Sequence, residues 1–142
     1  MAELVTPAPL WRRLMAALYD ALLLFGLLGV LTSVLAIGSA FAAGAPPPRV
    51  LLALYLLAAF LFFGWFWTHG GQTLGMRAWR LQVRRADGAP LHWPAACARY
   101  MAAWLAWLPA GLGVLWCAVD AEHKALHDRL SGTEVVLLPK KG

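Results

Sequence analysis

The sequence predicts an all-α integral membrane protein: two transmembrane helices, a broken third apolar segment forming a helical hairpin, and a small cytoplasmic β pair. Three observations carry this. Of 142 residues, 61% are hydrophobic and 13% are charged, against roughly 25% charged in soluble domains. The apolar residues gather in runs that match the roughly 20 residues needed to cross a hydrocarbon core about 30 Å thick. The formal charge of +5 comes mostly from basic residues bordering those runs, the distribution that orients helices in a membrane. A single domain over 1–142 is expected.

The first helix is expected over residues 10–37, because Pro7 and Pro9 limit any helix upstream. It opens on "WRRLMAALYDALLLFGLLGV" and carries Asp20 inside the apolar run. A carboxylate at a helix centre costs about 2.5–3.5 kcal/mol, less near the end. A cleaved secretory signal ending at Ala40-Phe41-Ala42 is the competing reading. The run exceeds the roughly 7–15 residues of a signal core, and Asp20 interrupts it, so a retained helix is expected.

"GSAFAAGAPPPR" follows, where Pro46, Pro47 and Pro48 force a turn. The second helix is expected over 50–68, with Trp65 and Trp67 at its end, where indoles favour the headgroup region. Gly70, Gly71 and Gly75 then break the helix. "WRLQVRR" alternates apolar and polar residues, giving a strand near 79–85, and Asp87-Gly88 makes a turn. Residues 94–108 and 112–130 form the two arms of the hairpin, broken by Pro109, Gly111 and Gly113; one straight span is the alternative. "TEVVLL" gives a strand over 133–138 that needs the earlier strand as its partner.

Orientation follows from charge. Arg12 and Arg13 stand at the N-terminal end of the first helix, and Arg77, Arg80, Arg84 and Arg85 follow the second, whereas the proline-rich turn has only Arg49. The N-terminus and the second loop are expected in the cytoplasm of a bacterial-type inner membrane, and the hairpin returns the C-terminus to the same side. The four loop arginines are candidate lipid-headgroup contacts.

"RRLMAALYD", "GGQTLGMRAWRLQVRRADG" and "LHDRLSGTEVV", in this order, resemble the RDD family of membrane proteins. That family is named for one arginine and two aspartates. By match to its pattern these fall on Arg13, Asp20 and Asp128. The resemblance implies an undefined biochemical activity, with transport of unspecified ligands as the family-level expectation.

The charged residues suggest one network. Arg13 and Asp20 are seven apart and share a helix face, with Ala16 and Ala17 between them leaving room for a close neighbour. Arg99 is the expected cation for Asp20, and Asp128 the expected anion for Arg13. Two readings stand: a clamp between helices, or a proton, cation or ligand site centred on Asp20. They correspond to a scaffold or accessory subunit and to a transport component. A transporter of this size is expected to form a homo-oligomer; an accessory subunit binds another membrane protein.

Other chemistry is not expected. Cys97 and Cys117 belong to no CxxC pair and read as small packing residues. Glu122, His123 and His127 lack the H-E-x-x-H order, so a solvated helix face is expected rather than zinc. "HGGQTLG" has no following Lys-Ser/Thr and reads as a turn. No placed nucleophile and base argue for an enzyme, no motif argues for nucleic-acid binding, and no cofactor is expected.

Overall fold

The computed structural model describes residues 5–42, 44–107, 115 and 126–140. Strand β1 (Thr6–Pro7) leads into helix α1 (Leu10–Phe41), followed by α2 (Pro48–Thr68), the short α3 (Leu74–Ala78), β2 (Leu81–Arg85), α4 (Trp93–Trp107), α5 (Leu126–Ser131) and β3 (Thr133–Leu137).

Helix α1 is longer than the sequence suggests, continuing through Gly38 and Ser39 to Phe41. An isolated glycine weakens a helix by about 1 kcal/mol without ending it; the chain leaves helical geometry only at Ala42. Pro48 starts α2 at its first position, where a missing N–H costs nothing and the fixed φ suits a helix. Both helices are long and apolar enough to cross a membrane, and in the most apolar stretch of α1 no residue is buried. Phe25 is 79% exposed, and Leu22, Val30, Val34 and Ile37 are exposed with it. An apolar surface of this extent is foreign to a water-facing monomer.

Contacts between the long helices are specific. Thr32 and Tyr55 share a hydroxyl–hydroxyl hydrogen bond of 2.6 Å between α1 and α2. The Tyr100 hydroxyl donates to the Leu56 carbonyl at 2.9 Å, tying α4 to α2. Phe60 meets the rings of Trp93 and Tyr100. Gly64 lies beneath Trp93, where a Cβ would stand 2.6 Å from the ring. By contrast, a Cβ built on Gly26 or Gly29 would meet nothing within 4 Å among the described residues, so their small size serves no helix contact there.

The sheet has three antiparallel strands in the order β1-β3-β2. The pairing of β2 with β3 is the one the sequence demanded, with Val83 opposite Val135. The two-residue β1 is not apparent in the sequence, because Pro7 argues against a strand; it survives on an edge, where proline is tolerated. Leu81, Val83 and Val135 turn inward and meet Ala8, Ala16, Trp67, Leu91 and Ala96. The core therefore sits where the sheet covers one end of α1, α2 and α4.

The proposed hairpin turn at Pro109, Gly111 and Gly113 lies outside the described residues, as do Cys117, Glu122 and His123. Of the arm expected over 112–130, Leu115 and residues 126–130 are described, all as helix.

Arg80 has φ of 58° at the entry to β2. Left-handed backbone costs an L-residue with a Cβ about 1–2 kcal/mol, and glycine returns part of that gain through its looser unfolded chain. Arg80→Gly is expected to stabilise the fold by about 0.5–1 kcal/mol, read as a raised melting temperature in detergent.

Candidate functional site

Two buried polar clusters lie at the sheet end of the helices. The first gathers on Asp128, which is wholly buried. Arg13 Nη1 on α1 donates to Asp128 Oδ2 at 2.6 Å. Arg99 Nη1 on α4 donates to Asp128 Oδ1 and to Thr133 Oγ1 at 2.8 Å. Arg13 Nε also donates to the Ala8 carbonyl at 3.2 Å. Ser131 and Thr133 share a hydroxyl hydrogen bond of 2.6 Å. One carboxylate thus joins α1, α4, α5 and β3, with both oxygens engaged by guanidinium groups. Such charge-assisted bonds are about twice as strong as neutral ones.

The second cluster gathers on Asp20. Thr73 Oγ1 donates to Asp20 Oδ2 at 2.5 Å, and the Gly75 N–H donates to Oδ1 at 2.9 Å. Thr73 caps α3, accepting from the Met76 N–H at 3.2 Å. Gly75 is fixed by proximity: a Cβ there would stand 2.9 Å from the Asp20 carboxylate and closer still to the Ala16 carbonyl oxygen. Gly71, at φ +69°, carries the preceding turn; its carbonyl accepts from the Val83 N–H at 2.7 Å. The small residue at Ala16 does admit a close neighbour, and that neighbour is α3.

The expected Asp20–Arg99 pair is corrected. Asp20 takes uncharged donors from the turn after α2, while Arg99 is drawn to Asp128 and Thr133. A folded turn brings a hydroxyl and a free backbone N–H to one carboxylate, which satisfies its acceptors without a second charge. The structure brings together Arg13, Arg99 and Asp128, and places Asp20 in a neighbouring cluster. Thr73, Gly75 and Thr133 were missed. Only Thr73 carried a usable signal, a threonine just before a short helical run.

The four loop arginines divide. Arg84 pairs with Glu134 at 2.6 Å, directly across β2 and β3, and Arg85 with Asp87 at 3.3 Å. Arg77 is exposed and Arg80 half-buried. Trp65, stacked on His69, is 56% exposed, as an interface anchor would be, but Trp67 is buried under Arg99, with the guanidinium carbon 5.2 Å from its ring centroid. Cys97 is exposed rather than packed. Among the described residues no group of histidines, cysteines and carboxylates could hold a metal ion.

Arg13, Asp20 and Arg99 border a cavity of about 630 Å³ between α1, α2 and α4. Trp67, Tyr100 and Leu24 contribute to its otherwise apolar wall.

Long apolar helices with outward-facing hydrophobic side chains, a small sheet at one end and charges buried beneath it are features consistent with a membrane protein. Comparison with known families is specific: the RDD family model matches residues 7–132. The chain belongs to the RDD family. No curated protein and no solved structure matches it.

Proposed function

We propose that this chain is a multi-pass inner-membrane transport component whose solute enters the cavity beside Asp20. The observation that supports it is the convergence of Arg13, Asp20 and Arg99 on one cavity between three helices. Ionisable groups inside a helical bundle cost several kcal/mol and commonly mark a pathway. In this reading Asp20 is the group that gains and loses a proton. Protonation removes its charge and weakens its hold on Thr73 and Gly75, which couples the charge state to the position of α3. The cytoplasmic side is the one bearing the sheet, with Arg77 and Arg80 at the anionic headgroups. The functional unit is a homo-oligomer, since so few helices enclose a pathway only together with copies of themselves.

The test is proton flux into proteoliposomes under sodium or potassium gradients, comparing the native chain with Asp20→Asn. Asparagine keeps an acceptor for the Gly75 N–H, so the fold is expected to persist. Flux is expected to fall by about tenfold or more, the scale of a lost charged hydrogen bond. Native protein with no flux under any gradient overturns the transport reading.

A second reading has its own support. Asp128 is wholly buried and doubly bonded to arginines, the arrangement of a clamp. A scaffold or accessory subunit needs nothing more from these charges. Stoichiometric co-purification with a different membrane protein, without flux, favours that role.

A further inference from the structure

Two polar atoms stand out against the satisfied clusters. Arg99 Nε and Trp67 Nε1 are buried and have no hydrogen-bond partner among the described residues. Their side chains are 3% and 6% exposed. Both residues line the cavity bordered by Asp20, and they stack on one another. A buried unmet donor carries a desolvation cost that an acceptor removes. Both orphans are donors only, and one belongs to a cation. The missing partner therefore offers oxygen acceptors, and an anionic head makes the stronger bond to the guanidinium.

The rest of the cavity specifies the body attached to that head. Its wall is apolar, with Leu14, Leu24 and Phe63 among the lining residues. Its volume of about 630 Å³ lies within the roughly 300–1,000 Å³ of small-ligand sites. Leu18 and Trp104 line it and are also 54% and 45% exposed on the outer apolar surface. The cavity therefore reaches the face that hydrocarbon would cover, and a ligand can arrive from the bilayer rather than from water.

We infer that the cavity binds a single-chain anionic amphiphile. Its carboxylate or phosphate accepts from Arg99 Nε and Trp67 Nε1, and its acyl chain lies between α1 and α4. Neither nitrogen is solvent-accessible, so binding requires the Trp67 and Arg99 side chains to shift toward the cavity. The low dielectric around them strengthens the bonds made there. The inference rests on the proposed ligand-handling role and names the class of its ligand.

The experiment is direct binding to the full chain held in amphipol. The probes are tritiated palmitate, palmitoyl lysophosphatidate, hexadecanol and benzoate, each titrated by scintillation proximity. Saturable binding of either anionic amphiphile is expected, and whichever binds identifies the carboxylate or the phosphate as the head. Hexadecanol is expected to bind about tenfold or more weakly, the value of a charged hydrogen bond. Trp67→Phe keeps the ring but removes the N–H, and is expected to weaken binding by about fivefold. Ala103→Phe, filling the cavity from a lining position, is expected to abolish it. Both variants are checked for a native melting temperature, since neither touches Asp128. Equal binding of hexadecanol, or unchanged binding in Trp67→Phe, overturns the inference. Benzoate binding without either amphiphile also overturns it while leaving a ligand-handling cavity in place. Binding of no probe overturns it as well, and the flux measurement then judges the transport reading separately.

Discussion

Asp128→Asn is expected to destabilise the protein by about 3–5 kcal/mol. Asparagine preserves the side chain's shape, removes the charge, and replaces one of the two acceptor oxygens with an NH2 donor, so one guanidinium also loses its acceptor. Arg13 and Arg99 are 8% and 3% exposed, so neither can turn to water for compensation, and two like charges remain beside each other. The loss is read as a drop in melting temperature by size-exclusion fluorescence in detergent. The control is the triple variant Arg13→Met, Asp128→Leu, Arg99→Met, which removes all three charges together. It is expected to recover at least half of the lost stability, since replacing a whole buried ion cluster is often neutral. A single variant that melts within about 2 °C of native protein would refute the clamp, because a loss of 3 kcal/mol shifts the midpoint by considerably more.

Gly75→Ala is expected to cost about 2–4 kcal/mol through overpacking and loss of a charged hydrogen bond. The added methyl meets the Asp20 carboxylate on one side and the Ala16 carbonyl oxygen on the other. The carbonyl belongs to helix α1 and cannot step aside. Helix α3 must therefore withdraw, taking the Gly75 N–H and Thr73 hydroxyl away from Asp20. Gly26→Ala provides the opposite sign within the same protein. That glycine is inside α1, and a Cβ there would meet nothing within 4 Å among the described residues; alanine is expected to stabilise by about 0.5–1 kcal/mol. Equal melting temperatures for the two variants would show that the close approach at Gly75 is not a constraint.

Much of the architecture was legible because its causes are local. Apolar run length gives α1 and α2, triple proline gives the turn between them, and alternation gives β2 and β3. The shared face of Arg13 and Asp20 follows from a seven-residue spacing, and both are buried. The partners of Asp20 were not legible. One is a backbone N–H, which has no residue identity to read, and the other depends on how the turn after α2 folds back onto α1. Trp67 misled for a related reason: a tryptophan at the end of an apolar helix looks the same facing lipid or facing a guanidinium. Its side is decided by where α4 places Arg99, 32 residues further along the sequence.

The strand order carries a consequence for biogenesis. The central strand, β3, is the last of the three in the sequence, and among the described residues β1 and β2 pair with it alone. Asp128, which meets both arginines, lies just ahead of it. A ribosome that has released α1 through α4 has therefore delivered two arginines whose counter-ion is still being made, and two strand segments with no template. Synthesis proceeds from the N-terminus at about 5–20 residues per second, so this unfinished state lasts for seconds at least. During that interval the nascent chain is open to chaperones and membrane proteases, and its completion is signalled by one late segment that closes the sheet and neutralises the charge together.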